Sequence, residues 1–488
     1  MKIVSIIICS ICISLNFLFA QNTIQKAINN FCSDEVFEYA SISIDIVNLK
    51  TNQTVASHNP NKSLPSASTA KLFSSAAALE ILGPNFKPKT RIYKDGYIDS
   101  TGKLVGNIWI RGGGDPSLGS KYFVSKSNKR KFLHIWKDEI NQLGINTISG
   151  SIISDASEFG YKGAPDGWNW SDLGNYYGAG PSGLTIFDNT LNFKFNTSNT
   201  VNVPVTLSSI EPNPPGLEFF SYINSSNRKG DNVYFYGSPS SDIIFASGTL
   251  PINRKDFLVK ASLPNPEIQF AYEFEKILEN NNISVLSDYK SSRFSIENTA
   301  SDKIYNDKNL IYTHQGESLI NIINYTNRNS VNLFAEHLIS LIGYEKNKNG
   351  STNNGVKTMN EFWSSKFSTK GLYLKDGSGL SRSNAISAKH LTRLLIYMNT
   401  SKYNSEYKSS LPITGINGTL KYLCKNQAAH NRIRAKSGSM SRVKSYAGYI
   451  NSKTGKEYAF ALIINNHTCN SKLLKQKIES LFNLLATN

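Results

Sequence analysis

Three short clusters of side chains in this 488-residue chain could perform covalent chemistry on an acyl group. The first is Ser68-Thr69-Ala70-Lys71. A serine hydroxyl is a poor nucleophile at neutral pH, and an amine three residues along a helix projects from the same face, where it can serve as the base the hydroxyl needs. The second is Ser330-Val331-Asn332, a hydroxyl and an amide two positions apart, and the third is Lys436-Ser437-Gly438, a cation beside a hydroxyl and a glycine. Ser-x-x-Lys, Ser-x-Asn and Lys-Ser-Gly, in that order, follow the signatures of active-serine acyl-transfer enzymes. Each pattern alone is weak. Ser405 and Lys408 have the first spacing, as do Ser441 and Lys444, while Ser225-Ser226-Asn227 has the second and Lys453-Thr454-Gly455 competes for the third.

The elements that must position these residues separate candidates from copies. "ASISIDIVNLKTNQTVASHNPNKSL" alternates apolar and polar residues about "LKTNQ" and predicts a hairpin. After it, Pro65 and Ser66 mark a helix entry, Leu72, Phe73, Ala76, Leu79 and Leu82 give an apolar face, and Gly83-Pro84 stops it. Ser68 and Lys71 fall near the start of that helix, with the lysine partly buried against the serine. Ser330-Val331-Asn332 lies between two apolar segments, as a loop or helix start. "KSYAGYINSKTGKEYAFALII" predicts two strands joined at Asn451 to Lys456, so Lys453 belongs to a hairpin turn in solvent. Lys436-Ser437-Gly438 instead sits within the preceding strand, where a glycine permits close approach of another backbone. Lys436 is therefore the catalytic candidate.

Short strands and turns dominate from about residue 85 to about 300, and helical patterns return at "EIQFAYEFEKILENN", "ESLINIINYTNRNSVNLFAEHLISLIG", "SAKHLTRLLIYM" and "SKLLKQKIESLFNLL". More than half the chain separates Ser68 from Ser330, although both must line one cleft; the β-rich middle reads as an excursion from a domain built of both chain ends.

Composition limits the partners. The first twenty residues have a lysine, an apolar stretch and Leu18-Phe19-Ala20, which predicts a secretory leader over 1–20 and an extracytoplasmic, periplasmic protein with no later transmembrane helix. The formal charge of +17 comes from lysines spread along the chain without a dense cluster, which argues for a solvated basic surface and no nucleic-acid partner. The seven histidines are scattered without a metal-ligand spacing, so no metal or other cofactor is expected. Cys32, Cys424 and Cys469 lie beyond the leader and allow one disulfide without specifying it.

Seven blocks, "PSASTAKL", "IRGGGDPSL", "WNWSDLGNYYGAGPSGLTIFDN", "NRNSVNLFAEHL", "DGSGLSRSNAIS", "LPITGINGTL" and "AKSGSMSRVKSYAGYI", resemble in type and order those of the D-alanyl-D-alanine carboxypeptidase/endopeptidase family of class C low-molecular-mass penicillin-binding proteins, the S13 serine peptidases. Two departures are Ser437, where the family usually has threonine, and Val331, where it usually has an acidic residue. Serine keeps the hydroxyl, and neither change predicts inactivity.

The resemblance implies an α/β multidomain fold: a penicillin-recognising, β-lactamase/transpeptidase-like domain, an antiparallel sheet flanked by helices, formed by 21–88 and 300–488. A β-rich inserted domain would occupy 89–299, with a nested third domain near 190–265. It implies hydrolysis of D-Ala-D-Ala in peptidoglycan stem peptides through a Ser68 acyl-enzyme, cleavage of D-Ala-diaminopimelate cross-links, and β-lactams as covalent inhibitors. By analogy Lys71 is the base, Ser330 passes a proton to the leaving amine, Asn332 holds the substrate amide, and Lys436, Ser437 and Ser439 receive the terminal carboxylate beside Gly438. The backbone N–H groups of Ser68 and Ser439 would form the oxyanion hole. A β-lactamase and an idle wall-binding scaffold are the alternatives.

Overall fold

The computed structural model describes residues 23–294 and 301–488. The leader expected over 1–20 and the expected domain border at 299/300 lie outside the described residues. Contacts divide the chain into two units: residues up to Glu80 with Ile323–Ser330 and Asn360–Asn488, and Ile81–Ile322 with Val331–Met359.

The first unit is laid on a five-stranded sheet in the order Ile433–Met440, Val443–Asn451, Glu457–Asn465, Ser41–Asn48, Thr54–His58, antiparallel throughout. Strands from the two chain ends are paired at its centre, from Ser41 opposite Asn465 to Asn48 opposite Tyr458. Strand alternation gives the sheet two faces. Ile42, Ile44 and Ile46 share a core with Tyr446, Phe460 and Leu462 and with the C-terminal helix Ser471–Thr487. Phe482 of that helix meets Tyr446 and Phe460 edge-on, with ring centroids 5.3 Å apart in both pairs. On the other face the helix Ala388–Thr400 covers the intervening residues: the Ala388 N–H donates to Ser43 Oγ at 3.1 Å, the Thr392 hydroxyl donates to Asp45, and the Tyr449 hydroxyl donates to the Leu395 carbonyl at 2.8 Å. This second face is the one that carries Lys436 and Gly438, because they pair with Ala447 and Ser445.

The second unit is β-rich, with helices Lys131–Gln142 and Pro266–Glu279 packed through Trp136, Phe270 and Phe274. Its five-stranded sheet runs Lys290–Ser291, Ile152–Asp155, Ile108–Gly112, Lys89–Lys94, Leu310–Gln315. Residues 190–262 form two three-stranded sheets around Phe193, Phe195, Phe219 and Phe235. The turn Gly112-Gly113-Gly114-Asp115 is structural here: Gly114 has φ +74°, and a Cβ on it would stand 2.0 Å from the Phe159 ring. Among the described residues no helix is long and apolar enough to cross a membrane.

Candidate active site

Ser68 belongs to a 3₁₀ turn, Ala67–Ala70, that leads into the α-helix Lys71–Leu82. A single α-helix over both residues is what the apolar spacing predicts. The tighter turn arises because Ala67 takes a left-handed conformation, φ +48°, which reorients the chain just before Ser68 at a cost of about 1–2 kcal/mol for a non-glycine residue. With three residues per 3₁₀ turn, positions i and i+3 eclipse one another. Lys71 Nζ accordingly lies 2.9 Å from Ser68 Oγ. It also donates to the Ser378 carbonyl at 2.7 Å, and the side chain is 0% exposed.

The loop carrying Ser378 is held by one carboxylate. Asp376 accepts from the N–H groups of Gly379 and Ser381 at 2.9 and 2.7 Å and from the Asn384 amide at 2.7 Å. Gly377 contributes its carbonyl to the Ser74 hydroxyl at 2.8 Å. Gly379, φ +81°, passes so close to the serine turn that a Cβ would lie 2.0 Å from the Ala67 carbonyl oxygen. On the opposite side the strand Ile433–Met440 presses Gly438 against the same turn, where a Cβ would fall 2.7 Å from the Ser66 carbonyl oxygen and 2.9 Å from Ser68 N. Ser445 stitches the two together, donating to the Ser66 carbonyl and sharing a 3.2 Å bond with Thr69.

Lys436, of the third cluster, reaches the second. Its Nζ donates to Ser330 Oγ at 2.8 Å and to the Ser437 carbonyl at 2.7 Å. Ser330 has φ +60° and stands at the break between the helices Leu319–Arg328 and Asn332–Asn347. Lys436 is 0% exposed. Burial, followed by the charges of Lys71 and Lys444, holds its amine well below the usual lysine range.

The structure thus brings Ser68 with Lys71, and Lys436 with Ser330, into hydrogen-bonded pairs that the turn, strand and loop of one unit position. Gly438 lies against them, the Ser437 hydroxyl bonds Thr419 Oγ1 at 2.7 Å, and Ser439 is exposed beyond it. Asn332 belongs to the second unit, where it opens its helix and donates to the Tyr177 carbonyl at 2.8 Å. Lys453 is exposed in a hairpin turn whose Gly455 has φ +78°. Thr419, Ser378, Asp376 and Ser445 were not singled out by spacing, although Thr419 lies in "LPITGINGTL" and Asp376 and Ser378 in "DGSGLSRSNAIS". Chemically, an amine at hydrogen-bond distance from a hydroxyl can take its proton as the oxygen attacks, and a second amine–hydroxyl pair can return one.

A serine turn backed by an antiparallel edge strand, with two buried lysines, is the arrangement of a β-lactamase/transpeptidase-type α/β enzyme. The fold agrees with that of penicillin binding protein 4 (dacB) from Haemophilus influenzae: TM-score 0.78 at 22% identity, over 92% of this chain and 97% of that one. For the same protein complexed with a novel beta-lactam the TM-score is 0.74 at 20% identity, over 94% and 100%. The chain belongs to the D-Ala-D-Ala carboxypeptidase 3 (S13) family of serine peptidases, whose model matches residues 24–488. Among its relatives, the D-alanyl-D-alanine carboxypeptidase of Actinomadura sp. (strain R39) is 27% identical over 461 residues, 91% of this chain and 81% of that protein.

Proposed function

We propose that this chain is an exported serine DD-peptidase that hydrolyses the D-Ala-D-Ala bond of peptidoglycan stem peptides, cleaves D-Ala-diaminopimelate cross-links with the same site, and is acylated by β-lactams. The observation that carries the reading is the 2.9 Å contact between Lys71 Nζ and Ser68 Oγ. Family membership and the relative named D-alanyl-D-alanine carboxypeptidase supply the substrate class, and the beta-lactam complex of the similarly folded protein supplies the inhibitor class. The catalytic domain is proposed to combine 21–88 with 300–488 around an insertion at 89–299, with a nested domain near 190–265.

In this reading Lys71 accepts the Ser68 proton as Oγ attacks the carbonyl between the two D-alanines. The tetrahedral oxyanion is met by the N–H groups of Ser68 and Ser439, each such donor being worth about 3–4 kcal/mol of transition-state stabilisation. As the C–N bond breaks, Ser330 passes a proton to the departing amine, and the proton that Lys71 took from Ser68 restores the Ser330 hydroxyl. Lys436, Ser437 and Ser439 hold the terminal carboxylate, and Asn332 holds the substrate amide. Water then hydrolyses the Ser68 ester.

The test is mass spectrometry of the protein after exposure to penicillin, together with D-alanine release from a stem pentapeptide. The wild type is expected to gain one adduct on Ser68, and Ser68→Ala to lose both adduct and release, with a rate reduction of at least about 10³-fold. An undiminished adduct in Ser68→Ala would refute the assignment. Rapid turnover of penicillin without D-alanine release would mean a β-lactamase, and neither reaction would mean a wall-binding scaffold.

A further inference from the structure

The second unit contains a cavity of about 410 Å³ that the proposed reaction leaves unused. Its floor follows from strand alternation. In Thr190–Asn196 the residues Leu191, Phe193 and Phe195 are buried in the core, so Asn192 and Lys194 turn to the other face and line the cavity. In the paired strand Phe257–Ser262, Val259 and Ala261 are buried while Leu258 and Lys260 line it. Leu258 stands opposite Lys194 and Lys260 opposite Asn192, which makes the two lysines diagonal neighbours, about 7–8 Å apart on one face.

Lys121, Lys126 and Lys129 add three more cations, and the acidic lining residues are Asp188 and Glu211. Both are already engaged: Asp188 with Lys121 at 3.5 Å, Glu211 with Lys126 at 3.7 Å and with Lys129. Among the described residues neither Lys194 nor Lys260 forms a salt bridge, although the Asp188 carboxylate, already paired with Lys121, acts on Lys260 from a distance. Burial, and then the charge of Lys121, lower the Lys260 amine from the ordinary lysine range. With five lysines against two carboxylates in its lining, the concave site raises the local concentration of anions and favours one that pairs with both Lys194 and Lys260. The walls are also partly apolar, with Leu258 46% exposed beside Pro212. The Phe187 ring is not free for a sugar to stack on, since Lys129 and Arg130 cover it at 4.8 and 5.2 Å.

We propose that this cavity binds a carboxylate-bearing peptide, a second stem peptide of the polymer being cleaved, with Lys194 and Lys260 receiving its carboxylates and Leu258 and Pro212 covering its aliphatic part. The identity of the peptide rests on the peptidoglycan reading above; the anionic-peptide chemistry rests on the cavity. Binding would hold the enzyme on its polymer between cleavage events, and it weakens as salt screens the lysines.

The probe is the tripeptide L-alanyl-γ-D-glutamyl-diaminopimelate, which carries carboxylates and no D-Ala-D-Ala bond, titrated calorimetrically into the full chain. Wild type binds it; Lys194→Glu/Lys260→Glu weakens binding by about tenfold or more, corresponding to the loss of two charge contacts. The milder Lys194→Gln/Lys260→Gln pair, checked by its melting temperature, shows a smaller loss in the same direction. D-alanine release from a soluble pentapeptide stays at the wild-type rate in both variants. The proposal is overturned if wild type does not bind the tripeptide, if both variants bind it as wild type does, or if tripolyphosphate binds in its place, which would assign the cavity to a phosphate polymer. Lysine-dependent tripeptide binding in a wild type that releases no D-alanine would support the cavity while removing the proposed reaction.

Discussion

Lys436 is buried with its amine against Ser330 Oγ and the Ser437 carbonyl, and its protonation leaves a signature in stability. Its amine is depressed in the folded state, whereas an unfolded lysine titrates near about 10.4. Between those values the unfolded chain binds more protons than the native one, so native stability rises with pH across that window. Lys436→Met carries no such proton. The melting temperature of the variant minus that of wild type is expected to be most positive at the low-pH end of that window and to shrink as pH climbs towards about 10; a difference that does not change with pH would contradict the buried, depressed amine. Ser330→Ala keeps the fold and removes the hydroxyl at 2.8 Å from that amine, and is expected to slow D-alanine release by about 10²–10⁴-fold. At this scale the side chains that meet at the candidate site, Ser68 with Lys71 and Ser330 with Lys436, were legible because motifs of three or four residues fix types and spacing together. Asp376 and Ser378 were not, because they act through a loop carboxylate and a backbone carbonyl, and any residue can supply a carbonyl.

The serine turn is squeezed between two glycines on different elements, and the squeeze is what aims Ser68. A methyl group at Gly438 would meet Ser445 Oγ at 2.3 Å and the Ser66 carbonyl at 2.7 Å; one contact is a side chain and can yield, the other is backbone and cannot without shifting the turn. Gly438→Ala is expected to destabilise by about 1–3 kcal/mol and to lower the penicillin acylation rate by up to about 100-fold through misplacement of the nucleophile. Stopped-flow acylation with thermal melting separates the two effects, and an unchanged acylation rate would show that the strand does not set the turn. Sequence periodicity identified the strand around Lys436, the hairpin that exiles Lys453, and the helices Pro266–Glu279, Ala388–Thr400 and Ser471–Thr487. It missed the 3₁₀ turn, since a left-handed alanine at position 67 is imposed by tertiary neighbours and leaves no mark in local propensity.

Across the whole molecule, the pairing of Ser41–Asn48 with Glu457–Asn465 joins the chain ends at the centre of one sheet, a contact between residues more than 400 positions apart that no local pattern encodes. Such a chain buries enough apolar surface to dispense with covalent staples. Cys32, Cys424 and Cys469 are all free, and burial pushes the thiols of Cys32 and Cys424 up to about 12, where the reactive thiolate is scarce at physiological pH. A bridge between Cys424 and Cys469 would close a loop worth about 4 kcal/mol, enough to lower the melting temperature by several degrees when broken. Dithiothreitol is therefore expected to leave the melting curve of the purified protein unchanged. An aromatic disulfide reagent should label Cys32 and Cys424 only once denaturant opens the core. A drop in melting temperature on reduction would mean that a covalent tie contributes to holding the C-terminal helix against the sheet, in place of the packing of Phe482 on Tyr446 and Phe460.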